Sequence, residues 1–366
     1  MPDKSDQKVI PFADNPNRIP PSFLYDPEAE LPPERVYYEG FLSEGELAVW
    51  IGREKHRKTT VMLQFAICAA LGLRFLTFNA PPFPLRVVIL DYESKTRSLR
   101  RRYDAICAAL RLSAEQLRVL RTNLRILELR RYISSGNALP KFPGKAPNEA
   151  EEKFWRAIAQ EYPADLYLFD PMRCLHREDE NDSAIEALLS KIRQVFGKAA
   201  VVIAHHMTKR GGGKDIVYLK DDMRAWSDGA RGSGAIKAHA DAIVCQEQVR
   251  DSDEGELIYW GAFLKDAGDI EPIPLIESDV ESFYWEVSPE IPSQLKPSLT
   301  VLQQAGGQFN NKAAAAKAME AAGRSRSSSY RDVEALIRRG LIVVANGVLQ
   351  LKYPKPTSTT PILKAA

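Results

Sequence analysis

Residues 46–72 read ELAVWIGREKHRKTTVMLQFAICAALG. Five apolar residues, Leu47 to Ile51, stop at Gly52. A polar loop follows with Arg53, Glu54, Lys55, His56 and Arg57. Lys58, Thr59 and Thr60 then open a second apolar stretch that ends at Gly72. The pattern is strand, loop, helix. Gly52, four further residues, then Arg57, Lys58 and Thr59 have the spacing of a phosphate-binding loop. In such a loop the backbone N–H groups cradle phosphate, the lysine reaches the terminal phosphates and the hydroxyl binds Mg²⁺. The positive end of the following helix adds to the attraction. Gly52 through Thr60 are therefore the candidate nucleotide-binding residues, with ATP and Mg²⁺ as the expected cofactors. Arg57 stands where the motif has glycine. Glycine permits positive φ and close approach of backbone to phosphate. Arginine there must find another conformation or place its side chain outside the cradle. Taken alone, the stretch also fits an ordinary strand–loop–helix with a Lys-Thr pair.

Three further apolar runs surround this one. RVVILDYE (86–93) ends in carboxylates, ADLYLFD (164–170) ends in Asp170, and AAVVIA (199–204) runs into His205 and His206. Near-continuous apolar strands are the mark of a parallel sheet covered on both faces. In such a sheet the strand C-termini share one edge with the phosphate loop. Asp170 would thus lie near a metal bound by Thr59. Adjacent histidines on a strand point to opposite faces, which disfavours a metal site. A hydrogen-bonding sensor beside the phosphates suits them better.

Between these strands the sequence predicts helices over 96–110, 149–162 and 184–196, a strand over 124–129 and a loop over 136–147. The first helix carries Arg97, Arg100, Arg101 and Arg102, read as a solvated face. Residues 209–226, KRGGGKDIVYLKDDMRAW, are too polar and irregular for core. They form either a loop that offers Lys209, Arg210 and Lys214 to nucleic acid, or a surface excursion. Segments 241–249, 256–265 and 283–287 complete the sheet.

The 366 residues are 45% hydrophobic and 27% charged, ordinary for a globular protein. No apolar run spans a membrane, and the N-terminus lacks the apolar core of a secretory signal, so a cytoplasmic location is expected. Cys68, Cys107, Cys174 and Cys245 are scattered and form no metal-ligand pair, which suits reduced thiols. Residues 1–35 are proline-rich and aperiodic, an arm that is either flexible or packed on a neighbouring subunit. Residues 36–288 form the main α/β domain. Residues 289–366 hold 11 Lys and Arg against 4 Asp and Glu, which leaves the rest at −5. A basic tail on an acidic body suits a polyanionic partner. This tail reads as three helices, 296–305, 311–322 and 326–340, and a hairpin around Asn346-Gly347. Three helices and a β-wing describe a winged helix, a module that binds DNA or protein. Arg324, Arg326 and Arg331 at its third helix are the candidate DNA contacts.

With these landmarks in line, the body resembles the RepA-type replicative helicases, RecA-like ATPases grouped with DnaB- and KaiC-like hexamers. GREKHRKTT looks like that family's phosphate loop, with Glu54 for its proline and Arg57 for its second glycine. LDYES places Glu93 where the family has its water-activating glutamate. YLFDP carries Asp170, the magnesium-linked aspartate. LHREDENDS is similar to the acidic stretch that follows, and IAHHMTK to the histidine-ended strand. ARGSGAI makes Arg231 the candidate finger that reaches a neighbouring subunit's γ-phosphate. The resemblance implies an ATPase acting in DNA replication as a homo-hexameric ring. Single-stranded DNA would occupy the ring and duplex the winged helix, with replication-initiation proteins as partners and no membrane. Lys58, Glu93 and Arg231 would be the catalytic residues. The competing reading is a DNA-binding accessory protein whose altered loop binds nucleotide as a switch with little turnover.

Overall fold

The structure is a computed structural model. It describes residues 33–142, 149–176, 180–207, 217–251, 255–265, 268–278, 282–288, 295–338, 341–345 and 348–351. The described residues from Arg35 onward form one compact unit.

A short ribbon, β1 (Val36–Tyr38) and β2 (Leu42–Ser43), leads into β3 (Leu47–Gly52) and α1 (Lys58–Leu71). There follow β4 (Val87–Asp91), α2 (Thr96–Ala109), α3 (Ala114–Asn123), β5 (Leu124–Glu128), α4 (Leu129–Ser134), α5 (Glu149–Glu161) and β6 (Leu166–Asp170). Next come α6 (Asp182–Phe196), β7 (Ala200–His206), α7 (Met223–Ser227) and α8 (Ser233–His239). The meander β8 (Ala242–Asp251), β9 (Gly255–Leu264), β10 (Ile270–Glu277) and β11 (Trp285–Val287) completes a nine-stranded sheet of order β11-β10-β9-β8-β3-β7-β6-β4-β5. Strands β8, β3, β7, β6, β4 and β5 are parallel, and the meander is antiparallel. This is the mainly parallel α/β sheet expected of a RecA-like P-loop fold.

Both faces of the sheet are dry, and period-2 alternation divides them. Ala48 and Trp50 face one cluster with α1 and Leu120 of α3. Leu47, Val49 and Ile51 face the other, with Trp155 of α5 and Ile185, Leu188 and Ile192 of α6. Helix α1 is buried almost all round, which explains its continuous apolar sequence. Its one buried amide, Gln64, exchanges two hydrogen bonds of 2.8 and 2.9 Å with the backbone of Trp285 and so ties α1 to the edge strand.

Four departures from the sequence reading have physical causes. Segment 209–226 was expected to stay outside the core. Among its described residues, Leu219, Met223 and Trp226 are buried, because α7 lays one apolar face on the sheet. Helix α3 follows α2 directly and is held by a Ser113–Gln116 capping box. Strand β10 forms despite Pro272 and Pro274, beside the short edge strand β11. Arg102 lies half-buried, not on a solvated face.

Beyond residue 294 the chain forms α9 (Lys296–Gln304), β12 (Gln308–Phe309), α10 (Lys312–Ala321), α11 (Arg326–Arg338), β13 (Ile342–Ala345) and β14 (Val348–Leu351). The three strands pair in the order β12-β14-β13. They close with the helices around their own core of Leu302, Met319, Val333, Leu336, Leu349 and neighbours. Among the described residues no helix is long and apolar enough to cross a membrane.

Candidate nucleotide site

The C-terminal edge of the parallel strands gathers the site. Register places Gly52 beside His206 and Asp91 beside Asp170. Gly52 must be glycine, since a Cβ there would lie 2.6 Å from the Gln246 carbonyl oxygen and 2.9 Å from Lys58 Cδ. The loop then turns through Lys55 (φ 65°) and Arg57 (φ 62°), both left-handed. Arginine thus adopts the backbone shape that the motif reserves for glycine. Its side chain leaves the cradle, with Nη2 3.6 Å from Glu256 Oε2. Glu54 and Lys55 are exposed.

The antiparallel half of the sheet supports the loop. Gln246 Nε2 donates to the His56 carbonyl at 2.6 Å, the Gln248 N–H donates to His56 Nδ1 at 2.8 Å, and Arg53 pairs with buried Glu247 at 3.3 Å. Gln246 is itself fixed from below, its Oε1 accepting from Trp50 Nε1 at 2.9 Å. Nothing in the local sequence of β8 signals this role.

Lys58 Nζ donates to the carbonyls of Gly52 at 2.8 Å and Arg53 at 2.9 Å, and lies 3.2 Å from His206 Nδ1. Burial lowers its pKa to about 8, against the opposing pull of Asp170, Glu93 and Glu54. Thr59 Oγ1 donates to Asp170 Oδ2 at 2.6 Å. Burial pushes the Asp170 carboxyl up to about 6, helped by Asp91 and Glu93 and opposed by Thr59 and Lys58. Thr60 is buried at the start of α1. On its other side His206 places Nε2 3.7 Å from Glu93 Oε1. That imidazole, with Lys58 and Arg130, holds the Glu93 carboxyl below its ordinary range despite partial burial. Asp91 fixes the glutamate's backbone: Oδ1 accepts from the N–H groups of Glu93 at 2.9 Å and Ser94 at 2.8 Å. Such a side-chain-to-backbone turn makes the carboxylate's position definite.

The site therefore brings together Gly52, Lys58, Thr59, Asp170, Glu93 and His206. His205 faces the other way, wholly buried, with Nε2 2.9 Å from the Arg231 carbonyl. Arg231 donates to Glu180 of its own chain at 2.7 Å. Arg102, from α2, bonds Ser94 at 3.2 Å. Burial lowers its pKa while Asp91 and Asp170 oppose, which places it on the same carboxylate cluster. Asp91, Arg102, Glu180 and Gln246 are the residues that sequence reasoning missed. Asp91 and Glu180 at least stood inside motifs already singled out.

Thr59 and Asp170 are hard oxygen donors that suit Mg²⁺, an ion that keeps several waters and shares phosphate oxygens. Lys209, Arg210 and Lys214 lie outside the described residues. Arg326 is exposed and the Arg331 side chain is 73% exposed, but Arg324 is engaged by Asp332 at 2.5 Å.

A solved KaiC-like protein of the hyperthermophilic archaeon Pyrococcus horikoshii OT3 is similar to this chain at 13% identity and a TM-score of 0.42, over 69% of this chain and 94% of that one. No curated protein sequence matches it. The family model described as an AAA domain matches residues 14–212, more than half of the chain, and beneath that match lies the phosphate loop built above: the chain belongs to the AAA-domain family of P-loop ATPases.

Proposed function

We propose that this protein hydrolyses ATP with Mg²⁺ at the interfaces of a ring and translocates on DNA, as a helicase of RepA type in plasmid or mobile-element replication. The observation that carries the hydrolytic part is the chain of contacts Lys58–His206–Glu93 beside Thr59–Asp170. A phosphate lysine, a metal-type hydroxyl–carboxylate pair and an ionised carboxylate meet at one sheet edge. A binding scaffold has no need of the third.

The geometry supports the following roles for Lys58, Thr59, Asp170, Glu93 and His206, and the resemblance to ring ATPases supplies that of Arg231. Lys58 delivers a buried positive charge to the terminal phosphates. Thr59 and Asp170 would hold Mg²⁺, which neutralises phosphate charge when bound. Glu93 orients the attacking water and accepts its proton. His206 keeps Glu93 ionised and in place, and it would sense the γ-phosphate through Lys58. Arg231 from a neighbouring copy stabilises transition-state charge. Arg57 does not block this scheme, because its guanidinium lies outside the cradle.

The three helices and three strands beyond residue 294 support a winged helix, and the +7 charge of residues 289–366 favours duplex DNA as its partner. The deciding experiment is ATP hydrolysis by the full chain with and without single-stranded DNA, alongside Glu93→Gln. DNA-stimulated turnover that vanishes in the variant supports the reading. Nucleotide binding with no turnover in either would favour the switch-like accessory protein.

A further inference from the structure

Two stretches far apart in sequence, 180–185 and 229–236, fit closely together, and Gly232, with φ 62° against buried Ile185, has no room for a side chain. A Cβ on Gly232 would lie 2.7 Å from Ile185 Cγ1, and one on Gly234 would lie 2.8 Å from Asp182 Oδ2. This approach brings Glu180, just ahead of α6, against Arg231. Arg231 Nη1 donates to Glu180 Oε2 at 2.7 Å; the carboxylate side chain is 2% exposed and the arginine's 38%. The backbone of the same arginine is held from β7. His205 Nε2 lies 2.9 Å from the Arg231 carbonyl, and Met207 forms a β-bridge with Ala230. Burial lowers the His205 pKa to about 4, so the ring is neutral near pH 7 and its Nε2–H donates to that carbonyl. The other ring nitrogen, Nδ1, faces Glu180 Oε1 at 3.8 Å, and neither atom has a hydrogen-bond partner among the described residues.

A buried carboxylate requires an ion pair. Here a single guanidinium nitrogen pairs with one carboxylate oxygen, and among the described residues the other donors of this partly exposed side chain are left to meet another anion. We propose that Glu180 is a positioning residue for Arg231: it fixes the guanidinium in the orientation offered to a neighbouring copy's phosphates. The proposal rests on the ring-ATPase reading. It also ties Glu180 and Asp182 of the acidic stretch to the segment ARGSGAI, joined to the phosphate site through the adjacent His205 and His206.

Glu180→Gln keeps the shape and removes the charge. We expect kcat to fall about tenfold or more with KM within about twofold, as misplacement of a reacting group affects the chemical step. Glu180→Asp should recover part of the loss. In an Arg231→Ala background, Glu180→Gln should have no further effect. An unchanged or raised kcat, or a loss that multiplies with that of Arg231→Ala, overturns the proposal. Amide exchange across residues 229–236 reads the same contact without turnover. It should quicken at least about threefold in Glu180→Gln, and unchanged exchange also overturns it. A wild-type chain without turnover would instead sink the ring-ATPase reading, and the exchange result would still decide on Glu180.

Discussion

Arg57 holds a left-handed backbone while its guanidinium reaches Glu256, 3.6 Å away across the first strand pair of the meander. The loop thus keeps its shape with a non-glycine residue and moves the side chain aside. Left-handed geometry costs a non-glycine residue about 1–2 kcal/mol. Arg57→Gly removes that strain, gives up an exposed ion pair worth at most about 1 kcal/mol, and loosens the unfolded chain. We expect an equal or slightly higher Tm and a nucleotide Kd within about threefold of wild type. A hundredfold gain in affinity by calorimetry would show that arginine obstructs the cradle.

Two ionisable groups of the site are shifted toward neutrality, and the sign of each sets a pH window. Asp170, raised from 3.8 to about 6, binds protons more readily folded than unfolded. It therefore contributes stability on the acid side that is lost as pH rises through about 6. Lys58, lowered from 10.5 to about 8, binds protons more readily unfolded, so its contribution to stability rises with pH from about 8 to 10.5; both signs follow from proton linkage. Mg²⁺-nucleotide needs both groups charged. Affinity should therefore peak between about 6 and 8 and weaken on either flank. Titration calorimetry across pH checks this, and Asp170→Asn should remove the acid flank. A flat profile would contradict the assignment.

Lys58→Ala should abolish nucleotide binding, with a loss of at least about a hundredfold from removal of a buried charge at the phosphates. Fluorescent-nucleotide titration measures it, and unchanged affinity would remove the loop from the site.

The arginines of the C-terminal region divide into two kinds. Arg324 neutralises Asp332, a buried carboxylate that also accepts from Ser298 at 2.7 Å. Arg324→Ala leaves that group only the Ser298 hydroxyl and the more distant Arg331, and thermal unfolding should show a loss of about 1–3 kcal/mol. Arg326 is exposed, and reversing it to glutamate should leave stability alone and weaken duplex binding with a shallower salt dependence; Arg331 is also exposed but lies 3.8 Å from Asp332, so its reversal should weaken binding and cost some stability as well. Deleting residues 289–366 should weaken DNA binding and spare the ATPase. Equal DNA affinity after deletion would make this region a protein-binding module.

The legible parts of this molecule were those with a local signature. The strand–loop–helix at 46–72, the carboxylate-ended strands and the three helices before the strand pair β13–β14 all follow from periodicity, while the Asn346-Gly347 turn expected between those strands lies outside the described residues. The missed parts depend on distant partners. Arg102 looks like any helix-surface arginine until α2 packs beside the carboxylates. Pro272 and Pro274 argue against the strand that they occupy. Gln246 gives no hint that it carries a loop 190 residues earlier, because the contact exists only after β8 pairs with β3.

That last contact bears on the order of events during synthesis. The loop at 52–58 is tied down by His56, whose two bonds go to Gln246 and Gln248. A ribosome that has released only the first 200 residues has therefore supplied Lys58, Thr59, Glu93 and Asp170, but not His206, Gln246 or Gln248. Contacts between segments so far apart form late, so the loop takes its final shape only after β8 has paired with β3.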